Sequence, residues 1–272
     1  MVIPGAAKSG TSALHQALSL HPEICMSSEK EPHFFSIDSV YHKGREFHNS
    51  LFPQGDHFRF YGESSTGYML SEKAIARISD TLGRPKIIMV LREPVDRAFS
   101  HYRWRFKLGL EKRDFLRAVT ESGYGYDPEQ LNGWGYASYL QFSRYSRYVP
   151  LWRDEFGDNN VHLIDSECLR RDLNGALKGC LSFLGVKDLS IDKNVFENTT
   201  EDTVSRPTPV MLTVSRLLPE PLKKTRAYQN VKRAFLRRLT SEPAHQMTPE
   251  ERKFVESELA DDVAFYRKAF GK

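Results

Sequence analysis

Cysteine is scarce in this chain: 272 residues contain three, Cys25, Cys168 and Cys180. Their odd number and the lack of a CxxC pair indicate neither a disulfide framework nor a zinc site, so a reducing compartment is the simpler expectation. Long apolar runs are missing too. No segment reads as a membrane span, and no charged-then-apolar leader precedes the first motif. Internal repeats and low-complexity linkers are absent, which excludes a solenoid. Charge of one sign is also in short supply, since 39 Lys and Arg against 35 Asp and Glu leave a formal net charge of +4. That mild excess suits anionic ligands without supplying the dense basic stripe of a nucleic-acid binder.

What is present is ordinary for a globular enzyme: 40% hydrophobic, 27% charged and 12% aromatic residues, a balance that argues against disorder. The length admits one large α/β domain or two small ones, and the regular alternation of strand-like and helix-like segments favours a single domain over 1–272. Val2 to Pro4 reads as a strand end, and Thr11 to Leu20 as a helix stopped by His21-Pro22. Arg59 to Glu63 reads as a strand, followed by a helix from about Ser71. Lys86 to Leu91, KIIMVL, is the continuous apolar run of a parallel strand covered on both faces. Pro94 opens the next helix, Tyr136 to Phe156 reads as another, Val161 to Ile164 as a strand and Leu173 to Leu184 as a helix. Thr248-Pro249-Glu250-Glu251 has the form of a capping box, with one C-terminal helix expected behind it. Asn194 to Pro209 shows no periodicity and reads as a long loop of the functional or mobile kind.

Two strand-to-helix junctions carry the chemistry. In PGAAKSGTSAL, Gly5 and Gly10 flank Lys8 and Ser9, with Thr11 and Ser12 opening the helix, so backbone amides, hydroxyls and a helix N-terminus converge where phosphate oxygens would sit. A triphosphate loop reads GxxxxGK[ST]; here the glycine spacing is kept, but Thr11 stands in the lysine position and Lys8 precedes Gly10. In LREPVDRAFSHY, Arg92 sits at the tip of the KIIMVL strand, where a magnesium-dependent phosphotransferase would place an acidic residue. Arg92 and Ser100, two helical turns on, suit direct binding of a phosphate. The plainer reading pairs Arg92 with Glu93 or Asp96 and leaves Ser100 to solvent.

Taken in this order, the two junctions resemble those of the sulfotransferases that use 3′-phosphoadenosine 5′-phosphosulfate (PAPS). The resemblance implies an α/β P-loop-containing three-layer fold, a central parallel sheet flanked by helices. It also implies that Lys8, Ser9, Gly10, Thr11 and Ser12 bind the 5′-phosphosulfate and that Arg92 and Ser100 bind the 3′-phosphate. PAPS would be the sulfate donor and 3′-phosphoadenosine 5′-phosphate (PAP) the product, with no metal. The segment SSEKEPHFFS is similar to the one carrying the base in heparan sulfate sulfotransferases, which assigns that role to Glu31 with His33 as its rival and Lys8 as the residue that stabilises the leaving group. Tyr139, and a late loop with Ser205 and Arg206, resemble positions that close over the donor. This chain departs from that branch at Ser36, where an acidic residue is usual, and at Ser64, where a lysine is usual.

The acceptor, a glycan or small molecule bearing a hydroxyl or less readily an amine, is left open, and no nucleic acid or membrane partner is expected. The compartment expected is the cytoplasm; the alternative is a Golgi-lumen catalytic domain with its anchor removed. Phe34 and Phe35 read as core, Glu29 as a solvated charge, and Glu63 either as an orienter of Lys8, a lining of the acceptor side or a plain strand-end carboxylate. The competing functions are a magnesium-dependent nucleotide kinase and a non-catalytic nucleotide-binding module.

Overall fold

The computed structural model describes residues 1–53, 55, 57–107, 110–122, 138–191 and 246–272. Five strands, β1 (Val2–Gly5), β2 (Ile24–Met26), β3 (Phe60–Ser64), β4 (Ile87–Leu91) and β5 (Val161–Asp165), pair in parallel in the order β2-β3-β1-β4-β5. The apolar residues of β4 alternate between the two faces. Ile87, Met89 and Leu91 join one core with Val2, Trp152 and Tyr266, whereas Ile88 and Val90 join another with Ile3, Leu14 and Leu177. A strand buried on both sides needs apolar residues at every position, and KIIMVL supplies them.

Helices α1 (Thr11–Ser19), α8 (Ser166–Arg171) and α9 (Leu173–Leu184) cover the second face. The first is covered by α4 (Glu72–Leu82), α7 (Tyr145–Phe156) and the last helix of the chain, giving the expected three layers. Two short helices, α2 (Asp38–Tyr41) and α3 (Gly44–Ser50), follow β2, and α5 (Pro94–Lys107) with α6 (Phe115–Glu121) builds a third apolar cluster beside the sheet. No helix among the described residues is long and apolar enough to cross a membrane.

Two expectations are corrected. Of the segment expected to be helical from Tyr136, the described part, from Ser138, enters its α-helix only at Tyr145, after a 3₁₀ turn at Gln141–Ser143. The cause is Arg97 of α5: its guanidinium takes the carbonyl of Tyr139 and the hydroxyl of Ser143, groups that a continuous helix would point elsewhere. The C-terminal helix is two, α10 (Pro249–Glu258) and α11 (Ala260–Phe270), bent at Leu259 (φ −114°, ψ 24°). The bend lets buried Asp262 accept from the amide and hydroxyl of Ser146 at 2.9 and 2.7 Å. Strand β2 was not foreseen at all. The Thr248 capping box forms as written. Ser205, Arg206 and the loop from Asn194 to Pro209 lie outside the described residues.

Candidate active site

Sheet order locates the site. After β1 the chain moves outward to β2 and returns through β3, then crosses β1 to place β4 on its other side, so the connections diverge at the carboxyl ends of β1 and β4. Parallel sheets bind ligands at such a switch point. The loop Ala6–Gly10 leaves β1 there, and Arg92 leaves β4 there.

The loop is shaped for an anion. Gly10 has φ 102°, a conformation L-residues resist, and a Cβ on it would stand 3.2 Å from Leu169 Cδ2. It caps α1 without a side chain, and the first turn of α1 holds no acidic residue, so the helix presents its amides and the positive end of its dipole to the loop. Ser9 is buried beside the Tyr145 hydroxyl, and its own hydroxyl makes no well-formed hydrogen bond among the described residues. Thr11 is buried, whereas Ser12 is exposed at the mouth of the helix.

Among the described residues, Lys8, Arg92 and Arg97 gather here without carboxylate counter-ions. Burial, then Arg92, Lys30, Arg97 and Lys107 in turn, lowers the Lys8 pKa from 10.5 to about 8. Among the described residues the Lys8 ammonium has a cation–π contact with Trp104, 4.9 Å from the ring centroid, and no carboxylate partner. Arg97 is fully buried and donates to Ala7, Ser143 and Tyr139 oxygens, all uncharged; burial, opposed by Tyr145 and aided by Arg92, brings its pKa down to about 10. Arg92 pairs with neither Glu93 nor Asp96. Glu93 caps α5 by accepting from the Asp96 amide at 2.8 Å, and Asp96 pairs with Arg252. Ser100 is half-buried on α5, and its hydroxyl makes no hydrogen bond among the described residues. Unpaired buried positive charge is costly unless an anion completes it.

The neighbouring loop holds the candidate base. Glu31 accepts from the Thr66 amide at 2.7 Å, from the Thr66 hydroxyl at 3.1 and 3.2 Å, and from Lys30 Nζ at 2.5 Å. His33 Nε2 lies 3.7 Å from the same carboxylate. Burial lowers the His33 pKa against the opposing pull of Glu31 and Glu63, which keeps the ring neutral at pH 7, and its Nδ1 has no partner among the described residues. Lys8 (φ 67°), Glu31 (φ 61°) and His33 (φ 54°) are the non-glycine residues of positive φ among those described. Such backbone costs of order 1–2 kcal/mol per residue and concentrates where a site needs it. The three residues that the sequence singled out for catalysis are therefore also the three held in this conformation.

Other expected residues fall elsewhere. Tyr139 is fully buried, its hydroxyl donating to Glu111 Oε2 at 2.8 Å and accepting from Arg105 Nε at 3.2 Å, so it meets the site through its carbonyl and Arg97. Ser64 is buried, its hydroxyl 2.9 Å from Nδ1 of His15; burial first, then Lys30, holds His15 down to about 4 and so neutral. Position 64 thus offers the acceptor side no cation. Phe34 and Phe35 are core, as expected. Glu63 does not orient Lys8. It lies 2% exposed, next to His48, Ser65 and Tyr68. Arg97 was overlooked in the sequence, although its place three residues after Pro94, one turn along α5, was the available signal.

Comparison with known proteins fits this geometry. The family model of the sulfotransferase domain matches residues 1–217. The chain is 30% identical over 200 residues to heparan sulfate glucosamine 3-O-sulfotransferase 3A1 of Mus musculus, covering 74% of this chain and 49% of that protein. It is 29% identical over 208 residues to bifunctional heparan sulfate N-deacetylase/N-sulfotransferase 1 of Xenopus laevis, covering 68% of this chain and 22% of that protein. The chain thus spans half or less of the length of these curated relatives. The crystal structure of a sulfotransferase from Alicyclobacillus acidocaldarius superposes with a TM-score of 0.61 at 28% identity, covering 74% of this chain and 89% of that one.

Proposed function

The chain belongs to the sulfotransferase domain family, and from that premise we propose that it moves a sulfuryl group from PAPS to a hydroxyl, or as a second choice an amine, of a glycan or small-molecule acceptor by in-line displacement. The observation that carries this reading is the trio Lys8, Arg92 and Arg97, gathered without carboxylate partners among the described residues at the sheet's switch point, beside the anchored carboxylate of Glu31. A donor with two phosphate-bearing ends fits a site with two cationic junctions.

The bound donor supplies an activated sulfuryl group whose departure leaves PAP. Lys8 stabilises the charge that grows on the phosphate side as the bond to sulfur breaks, in a setting where burial strengthens its effect. Ser9, with the backbone of Gly10, Thr11 and Ser12, holds the 5′-phosphate oxygens. Arg92 and Ser100 hold the 3′-phosphate. Arg97 fixes the Ala7 carbonyl and so the start of the loop, and Tyr139 supports Arg97 from behind. Ser205 and Arg206 are assigned to the far side of the donor by resemblance alone. Charge neutralisation falls to these side chains in this reading, with no metal assigned.

Glu31 takes the proton from the acceptor hydroxyl, and the Thr66 amide keeps its carboxylate in place for that step. One observation favours a second assignment of the base: burial lowers the His33 pKa, and its Nδ1 has no partner among the described residues. The same single-domain reading extends over 1–272, because Arg252, Asp262 and Tyr266 of the last two helices bond Asp96, Ser146 and Asp165 of the core. All three cysteines are free, which supports a reducing compartment, the cytoplasm. The test is a panel of hydroxyl- and amine-bearing acceptors incubated with PAPS and read by mass spectrometry. Gain of one sulfo group on any acceptor, lost in Lys8→Ala, is the expected result; release of PAP with no acceptor modified across the panel would count against it.

A further inference from the structure

The buried carboxylate of Glu63 is not used by the chemistry above, yet it stands behind the loop that carries the candidate base. That loop, from Glu31 to Ser36, has backbone amides that must find partners while its residues 31 and 33 sit at positive φ. The Glu31 amide donates to the Ser64 carbonyl at 2.8 Å, an ordinary backbone bond. The next two bonds are different. The His33 amide donates to the Ser65 hydroxyl at 3.1 Å, and the Phe35 amide donates to the Tyr68 hydroxyl at 3.0 Å.

A hydroxyl accepts from an amide only when its own proton points elsewhere. Both hydroxyls send their protons to one atom: Tyr68 donates to Glu63 Oε2 at 3.1 Å and Ser65 donates to the same oxygen at 3.4 Å. The other oxygen, Oε1, lies 3.2 Å from Nε2 of His48, whose ring stacks on Phe34 with centroids 4.6 Å apart. Glu63 thus sets the polarity of two relays that end on alternate residues of the base loop. Ser65 also precedes Thr66, which grips the Glu31 carboxylate directly.

We propose that Glu63 is the positioning residue of this site: through the Ser65 and Tyr68 hydroxyls it holds the His33 and Phe35 amides, and so sets where Glu31 and His33 present their side chains. Among the described residues the Glu63 carboxylate bonds His48, Ser65 and Tyr68, and none of Lys8, Arg92 and Arg97. The proposal rests on the sulfotransferase reading for its consequence in turnover, but its structural content is independent of that reading.

Glu63→Gln keeps the shape and removes the carboxylate; Ser65→Ala removes one relay and leaves Glu63 alone. Three readouts separate the possibilities. Amide hydrogen exchange in the ligand-free protein should quicken at His33 and Phe35 in Glu63→Gln, and at His33 alone in Ser65→Ala, by about tenfold for a lost hydrogen bond. The PAP dissociation constant and binding stoichiometry should stay within about twofold of wild type, since neither residue meets the donor. Sulfuryl transfer should fall about tenfold or more in kcat, while in a Glu31→Gln background Glu63→Gln should change the residual rate little. Unchanged exchange at both amides, or a loss of PAP binding that parallels the loss of kcat, overturns the proposal. PAP binding by the wild type tests the sulfotransferase reading separately, so failure of that reading leaves the exchange result to decide the role of Glu63.

Discussion

Replacing Lys8 with methionine should make the ligand-free protein more stable while abolishing its use of the donor. In the folded chain the Lys8 pKa drops from 10.5 to about 8, chiefly by burial and then by Arg92, Lys30, Arg97 and Lys107. A depression of that size corresponds to about 3 kcal/mol of destabilisation when the amine is charged in both states. The sign follows from proton counts. Between pH 8 and 10.5 the unfolded chain keeps a proton that the native chain has released, so stability rises with pH across that window; below pH 8 the full penalty applies. Methionine removes it and keeps an apolar stem against Trp104, forfeiting a cation–π contact worth about 0.5–1 kcal/mol. The net gain at pH 7 is about 2 kcal/mol, or about 5 °C in melting temperature for a domain of this size. Urea denaturation of both proteins at pH 7 and pH 10 is the assay. The variant should lead at pH 7 and lose much of that lead at pH 10. A variant less stable than wild type at pH 7, or a lead that does not change with pH, would refute the argument that Lys8 is an uncompensated cation.

Two further outcomes follow from the same geometry. Glu31→Gln should stop sulfuryl transfer and leave PAP affinity within about twofold, because its contacts are to Thr66 and Lys30 and not to the phosphate loop; if turnover survives there and His33→Ala abolishes it, calorimetry and rate assays together assign the base to His33. Gly10→Ala places a Cβ 3.2 Å from Leu169 Cδ2 at φ 102°, so it should cost about 1–2 kcal/mol in denaturation and weaken PAP binding by displacing the loop amides.

The parts of this site that lie at ends of strong strands were readable from residue order. KIIMVL can only be a doubly covered strand, Pro94 marks the helix behind it, and the misplaced lysine of PGAAKSGTSAL separates the loop from a triphosphate cradle. Strand β2 escaped because its three residues, Ile24–Met26, give no room for a period, and it exists by pairing with β3. The start of α7 and the buried course of residues 138–143 follow from Arg97, whose role depends on three oxygens distant in sequence. Glu63 stayed open between an orienter of Lys8, a lining of the acceptor side and a strand-end carboxylate for the same reason: His48, Ser65 and Tyr68 meet it only after folding. Alternation and caps are local signals, whereas a buried charge declares its function through partners that the fold brings to it.

The central claim is that two cationic junctions hold a donor by both phosphate ends, and calorimetry of PAP against adenosine 5′-monophosphate tests it most directly. Wild type should bind PAP more tightly than the monophosphate by about ten- to a hundredfold, the worth of charge-assisted bonds to one added phosphate. Arg92→Ala should erase most of that difference by weakening PAP alone, and Lys8→Ala should weaken both ligands. Equal affinity of wild type for the two nucleotides, or PAP affinity untouched by Arg92→Ala, would contradict the account.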